Sequence, residues 1–218
     1  MDNIMDFFAN EKKEKLERIR HLNRYVKKRQ ILFTGSSLME QFPINEIAMT
    51  EGLDVIIYNR GIGGYTIPEM LDAMDEQIFD LEPSKIFINI GTNDISQPDK
   101  TIESLKDDYR KVLEQIKKRL PETKVYMMAY YPASVKGASH SQWPDAAKTA
   151  KRRLDMLEDA NKAVEELAAE FGYKYIDVNE GLTDEEGQTK EEFSIDGIHM
   201  WSDAYEIVYN NMKKYILE

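Results

Sequence analysis

The chain has 218 residues, 42% hydrophobic and 32% charged, with a formal net charge of −11 and a pI near 4.9. That length and apolar content suit one substantial core at about 100–200 residues per domain, and the acidic balance argues against duplex nucleic acid or anionic membrane as a partner. No cysteine is present, which excludes disulfides, a thiolate nucleophile and Cys-ligated zinc.

In chain order, residues 10–29 carry Leu16, Ile19, Leu22 and Val26 at helical spacing. Residues 1–30 therefore read as a helical extension of a single domain spanning 1–218. Phe7 and Phe8 on that extension would pack on the domain or on another subunit, so a homo-oligomer is among the expected states. The N-terminus lacks the basic start and long apolar run of a secretory signal. No apolar run approaches the ~18 residues of a membrane span. The expectation is a cytoplasmic protein without membrane insertion.

Buried strands are predicted over 31–35, 54–59, 85–91, 125–131 and 173–178, each a short, nearly continuous apolar run. Helices are predicted over 68–81, 101–120, 145–171 and 203–217. The first has a proline at its front, the second is closed by Pro121, and the third ends at Gly172. Alternating β and α segments of this kind imply an α/β fold with a parallel sheet covered on both faces. Residues 133–144 form the longest loop, and long loops in compact domains often cover a site.

Ligands of such sheets bind beyond the carboxyl ends of the strands. Three segments gather there or beside the last helix: Gly35-Ser36-Ser37-Leu38, Gly91-Thr92-Asn93-Asp94 and Asp196-Gly197-Ile198-His199. A serine needs a base to become a nucleophile at neutral pH. His199 lies three residues after Asp196, a spacing at which a carboxylate can meet Nδ1 and leave Nε2 for a serine hydroxyl. His21 reads as a surface residue of the first helix, and His140 lies in the long loop without an acid near it in sequence. Asn93 can donate its amide to an oxyanion or simply turn the chain. Ser37-Leu38-Met39-Glu40 also fits a capping box, which would merely start a helix. Asp196-Gly197 also fits a plain surface turn. Gly61-Ile62-Gly63-Gly64 permits unusual dihedrals or close approach of a ligand, but it is not the dinucleotide fingerprint.

Together these blocks resemble the SGNH (GDSL-type) esterase and lipase superfamily, in family order over residues 31–217. The resemblance implies a three-layer α/β/α sandwich with a five-stranded, parallel, flavodoxin-like sheet. It implies hydrolysis through an acyl-enzyme, with Ser37 as nucleophile and Asp196 and His199 as acid and base. Gly64, Asn93 and the Ser37 backbone N–H would form the oxyanion hole, Gly64 matching better than Gly61 or Gly63. No cofactor or metal is implied, and the partner is a small-molecule ester. Two positions depart from the family pattern. Ser36 stands where an Asp usually precedes the nucleophile, and Tyr65 where many members have Asp. Of the aromatic and Met residues near these blocks, Tyr65, Tyr131 and Met200 are the expected substrate-binding side chains. A small-acyl carboxylesterase is preferred, with a carbohydrate deacetylase, a long-chain lipase, a thioesterase or a non-catalytic binding module on the same fold as alternatives.

Overall fold

The computed structural model describes the backbone of residues 2–218 and the side chains of residues 6–218. In chain order the elements are α1 (Asp2–Leu22), β1 (Ile31–Gly35), α2 (Ser37–Glu40), α3 (Ile44–Thr50), β2 (Ile57–Asn59), α4 (Ile67–Asp72) and α5 (Met74–Gln77). They continue with β3 (Lys85–Asn89), α6 (Thr92–Ile95), α7 (Ile102–Arg119), β4 (Lys124–Met128), α8 (Ala146–Phe171), β5 (Lys174–Ile176) and α9 (Ser202–Leu217). The strands form one parallel sheet in the order β2-β1-β3-β4-β5.

Alternation along the strands divides the apolar residues between two cores. Leu32, Ile86, Ile88, Val125 and Met127 face one side, where they meet Leu105, Tyr109 and Val112 of α7 and Val164 and Leu167 of α8. Phe33, Phe87, Tyr126 and Met128 face the other, against Ile44 of α3 and Tyr205, Val208 and Met212 of α9. Helices thus cover both faces, and the three-layer α/β/α arrangement expected from the sequence is the one observed. Burial of these side chains stabilises each layer by roughly 1.5–3 kcal/mol per large apolar residue.

The edge strands are shorter than the runs 54–59 and 173–178 predicted from apolar content. Each pairs on one side alone: β2 matches β1 only over Ile31–Phe33, and β5 matches β4 only over Tyr126–Met128. The predicted helix over 68–81 is instead α4, α5 and a 3₁₀ turn at Phe79–Leu81. The backbone leaves helical geometry at Ala73 and Ile78. Between these breaks the fully buried Gln77 donates its amide to Arg60 O at 2.8 Å and Gly35 O at 3.3 Å, tying the segment to the strand ends. The start of α4 is fixed by a capping box between Thr66 and Glu69. Helices α2, α3 and α6 were not predicted, because four to seven residues carry too little periodicity to register.

The chain runs from β1 outward to β2, then returns to the other side of β1 to form β3. The direction of winding therefore reverses between β1 and β3, where open α/β sheets leave a crevice beyond the strand ends. Gly35 closes β1 at that point with φ +151°, and a Cβ there would lie 2.0 Å from Asn89 O on β3. Only glycine fits both the dihedral and the gap. Gly35→Ala should therefore destabilise the protein by about 2–4 kcal/mol. Chemical denaturation would measure it, and a loss within the ordinary surface range would refute the close-approach argument.

Asp94 of α6 links this crevice to α4: its carboxylate accepts the Ile67 N–H at 3.1 Å, and Lys100 Nζ stands 3.8 Å away. Burial raises the Asp94 carboxyl to about 6, against the lowering effect of the Ile67 N–H and Lys100. A folded-state value above that of the unfolded chain means the native protein holds this proton more tightly. The stability it contributes is present in full below about pH 4 and is lost as pH rises through about 6. Measured from pH 4 to 7, the unfolding free energy of the wild type minus that of Asp94→Asn should fall. A flat difference would contradict the assignment.

Candidate active site

Ser37 is the first residue of α2, directly after β1, and is 9% exposed. Ser36, not Ser37, is the N-cap residue, and it makes no side-chain capping bond. The capping-box alternative is therefore not realised. Glu40 instead accepts the Gly63 N–H at 2.8 Å and the Lys15 ammonium at 3.1 Å. That leaves the Ser37 hydroxyl for another partner, and it meets His199 Nε2 at 2.9 Å. His199 Nδ1 lies 2.7 Å from Asp196 Oδ2, while Asp196 Oδ1 accepts the N–H groups of Ile198 and His199 at 2.9 and 2.8 Å.

Burial alone would raise the Asp196 carboxyl. The His199 ring, the His199 N–H, the His199 charge and the Ile198 N–H outweigh it and bring the value down to about 2. The carboxylate is thus ionised at neutral pH and can only accept. His199 Nδ1–H can therefore only donate to it, which leaves Nε2, when the ring carries a single proton, to accept the Ser37 O–H. A carboxylate, an imidazole and a hydroxyl in one line can draw the proton off the hydroxyl.

The turn holding Asp196 and His199 is itself braced. Gly197 has φ +93°, and a Cβ there would lie 2.7 Å from Ala138 Cβ and 2.8 Å from Ser134 O. Ser134 N–H donates to Gly197 O at 2.8 Å, and Gly197 N–H to Ser194 Oγ at 2.8 Å. The long loop 133–144 thus packs beneath the acid–base turn through its buried Ala133 and Ala138. The other two histidines stand elsewhere. His21 Nε2 faces Glu17 at 3.3 Å and His140 Nε2 faces Glu191 at 3.2 Å, both on exposed surface.

Three groups at the ends of β1, β2 and β3 are candidate oxyanion donors. The Ser37 N–H and the Gly64 N–H donate to no group among the described residues. Gly64 is exposed and left-handed, at φ +77°. A Cβ on its neighbour Gly63 would lie 3.7 Å from Ser37 Cβ, which brings this glycine turn against the serine. Asn93, at the start of α6, donates one amide hydrogen to Tyr65 O at 2.9 Å and accepts from Arg153 Nη2 at 2.9 Å. Its second amide hydrogen has no acceptor among the described residues.

Tyr65, Tyr131 and Met200 are packed away from solvent. They are 5%, 4% and 3% exposed and belong to the two cores, Tyr65 on one side of the sheet and Tyr131 and Met200 on the other. Most of their side-chain surface is spent on packing, which leaves little of it for the substrate contact expected from the sequence. Burial pushes the Tyr65 phenol up to about 12, which keeps it neutral. What Tyr65 brings to the site is its backbone carbonyl. Trp143 and Trp201, by contrast, are 50% and 54% exposed. At the other departure from the family pattern, the buried Ser36 hydroxyl finds no partner among the described residues, so no side-chain bond replaces the usual Asp.

Sequence reasoning missed Arg153 of α8, which is 7% exposed and carries a charge into the site. The signal was present. Ala146, Ala150, Arg153, Ala160, Val164 and Leu167 fall on one face of the helix, and a charged residue among apolar positions at that spacing marks a buried ion.

No group of acidic and histidine side chains that could hold a metal ion occurs among the described residues. No helix among them is long and apolar enough to cross a membrane.

Comparison with known proteins gives a consistent picture. A protein from Streptococcus pneumoniae described as a platelet activating factor superposes with a TM-score of 0.85 at 26% identity, over 99% of this chain and 97% of that one. A GDSL-like lipase from Bacteroides thetaiotaomicron superposes with a TM-score of 0.75 at 20% identity, over 96% and 98% of the two chains. An acetylxylan esterase from Geobacillus stearothermophilus does so with a TM-score of 0.65 at 15% identity, over 88% and 95%. At such identities the last two demonstrate a shared fold. An N-acylneuraminate cytidylyltransferase of Escherichia coli is 24% identical over 187 residues; the match spans 85% of this chain but only 40% of that protein. The model of the GDSL-like lipase/acylhydrolase family matches residues 44–207, most of the chain and the segments carrying Gly64, Asn93, Asp196 and His199, though not Ser37. The chain belongs to the GDSL-like lipase/acylhydrolase family of hydrolases.

Proposed function

We propose that this protein is a serine hydrolase that cleaves small-acyl carboxylic esters through an acyl-enzyme. The observation that carries the reading is the unbroken line from Asp196 through His199 to the Ser37 hydroxyl, with contacts of 2.7 and 2.9 Å. In this scheme Ser37 Oγ attacks the ester carbonyl carbon as its proton passes to His199 Nε2. Asp196 holds the ring and stabilises the imidazolium. The carbonyl oxygen, now negative, is met by the Ser37 N–H, the Gly64 N–H and the free amide hydrogen of Asn93. Collapse expels the alcohol, which takes the proton from His199. Water, deprotonated by the same imidazole, then attacks the acyl-enzyme and frees the acid and Ser37.

Packing supports a short acyl group. Tyr65, Tyr131 and Met200, large side chains near the site segments in sequence, are held in the cores and offer no exposed apolar surface to a long chain. A second reading, a carbohydrate deacetylase, draws on Trp201. This half-exposed aromatic face lies two residues after His199, where a sugar ring can stack. The structural similarity to an acetylxylan esterase is compatible with it.

An organophosphonate should label Ser37 and leave Ser36 unmodified, as read by peptide mass spectrometry. His199→Ala should lower turnover by roughly 10⁴-fold or more, whereas His21→Ala and His140→Ala should keep most of it. An adduct on Ser36, or equal losses in all three variants, would refute the assignment.

Across p-nitrophenyl esters, kcat/KM should be highest for acetate and fall with chain length. A maximum at octanoate would refute the small-acyl reading. Faster deacetylation of acetylated xylooligosaccharides than of p-nitrophenyl acetate, with KM raised by Trp201→Ala, would select the carbohydrate reading.

A further inference from the structure

Arg153 is a buried cation that the reaction scheme above leaves unused. Its guanidinium comes from the third turn of α8. Nε donates to Ser96 Oγ at 2.7 Å and Nη2 to Asn93 Oδ1 at 2.9 Å. Ser96 in turn donates to Thr92 O at 2.7 Å, so both acceptors belong to α6 or its last turn. No carboxylate lies within ion-pairing distance of Arg153 among the described residues. Burial lowers its pKa to about 10, with the Asp196 charge acting in the opposite direction, and it remains a cation at neutral pH. A charge held 93% out of water without a directly paired anion is costly. A residue needed only to fill space on the Ala-rich face of α8 would be apolar.

The Asn93 amide shows what the charge does. Its oxygen is taken by the guanidinium and one amide hydrogen by Tyr65 O. Rotating the amide by half a turn would set NH₂ against the cation and oxygen against oxygen, so a single orientation survives. In that orientation the remaining N–H is unspent. Withdrawal of electron density from Oδ1 by a cation also makes the amide N–H a stronger donor.

We infer that Arg153 is a positioning residue that locks and polarises Asn93 as an oxyanion donor. The inference rests on the esterase reading. It extends the oxyanion hole by one layer, from the amide that would touch the reacting oxygen to the buried cation that aims it. Acting through that amide, Arg153 strengthens the bond to the negative charge that develops beside Asn93, a charge present only as the ester carbonyl becomes tetrahedral. Its contribution therefore belongs to the transition state, not to ground-state binding.

The test is a double-mutant cycle on the full chain, using p-nitrophenyl acetate. Arg153→Met should lower kcat by roughly 10–100-fold with KM nearly unchanged, less than the roughly 10²–10³-fold cost of losing an oxyanion donor itself. Arg153→Lys, which keeps the charge but cannot span Ser96 and Asn93 together, should fall between. In an Asn93→Ala background the Arg153→Met change should cost no more than about twofold, because the group it acts through is gone. Phosphonate labelling at Ser37 and the melting temperature are recorded for every variant. Equal losses in both backgrounds, or a loss matched by unfolded protein in both the Met and Lys variants, would make Arg153 merely structural and overturn the inference. A wild type that neither labels nor turns over would instead overturn the esterase reading, and this inference with it.

Discussion

The pairing of β1 with β3 is the constraint from which the site follows. Because the order of the sheet reverses between these strands, their carboxyl ends open onto a common crevice. Gly35 lets the two backbones approach so closely that no side chain fits between them. β1 runs straight into α2 and delivers Ser37; β3 runs into α6 and delivers Asn93. The turn after β2 brings Gly63 and Gly64 alongside, held by the Glu40 carboxylate at the end of α2. Three loops thus reach one spot because three neighbouring parallel strands end there. The fourth contribution, the Asp196–His199 turn, has no strand to place it. It is braced instead by the loop after β4.

Charge burial around the crevice is uneven, and the unevenness has chemical consequences. Asp196 is only partly buried and is surrounded by donors, so it stays ionised and orients the imidazole. Asp94, a few residues beyond β3, is almost wholly buried with weaker compensation, and its affinity for a proton rises. Arg153 carries a positive charge into the same region with only neutral acceptors, Ser96 Oγ and Asn93 Oδ1, in direct contact. Buried ions without close counter-ions are retained against a cost in stability. That cost is easier to understand where a negative charge appears during a reaction.

Helix α1 lies outside the segment matched by the family model, yet it is joined to the glycine turn. Lys15 shares the Glu40 carboxylate with the Gly63 N–H, and Lys12 pairs with Glu69 at 2.7 Å. A Cβ on Gly64 would lie 2.9 Å from Lys12 Cε. Exposed ion pairs of this kind contribute about 0–1 kcal/mol each. The apolar contacts of Ile19 and Leu16 with the first core supply most of the adhesion. Phe8 extends the same helix toward Trp143 of the long loop, with ring centroids 6.2 Å apart. The extension read from the sequence therefore packs on the domain and reaches the glycine turn.

Local pattern in the sequence was sufficient for the alternation of apolar strands and amphipathic helices, and for the chemical types at the ends of β1 and β3 and in the last turn. Strand periodicity and helix spacing are set by neighbouring residues, so they survive in the linear chain. The limits of β2 and β5 depended on how many residues a partner strand could pair. The split of residues 68–81 accompanied contacts with two strand ends. Whether Ser37 capped a helix or faced His199 depended on Glu40 being drawn away by Gly63 and Lys15, 23 and 25 residues distant in sequence. Tyr131 and Met200 looked available beside the motifs until packing consumed their surfaces. Arg153 met Asn93 across 60 residues. Residue type and local spacing are written in the chain itself. Which polar atoms remain unspent is decided only when distant segments compete for them in the folded protein.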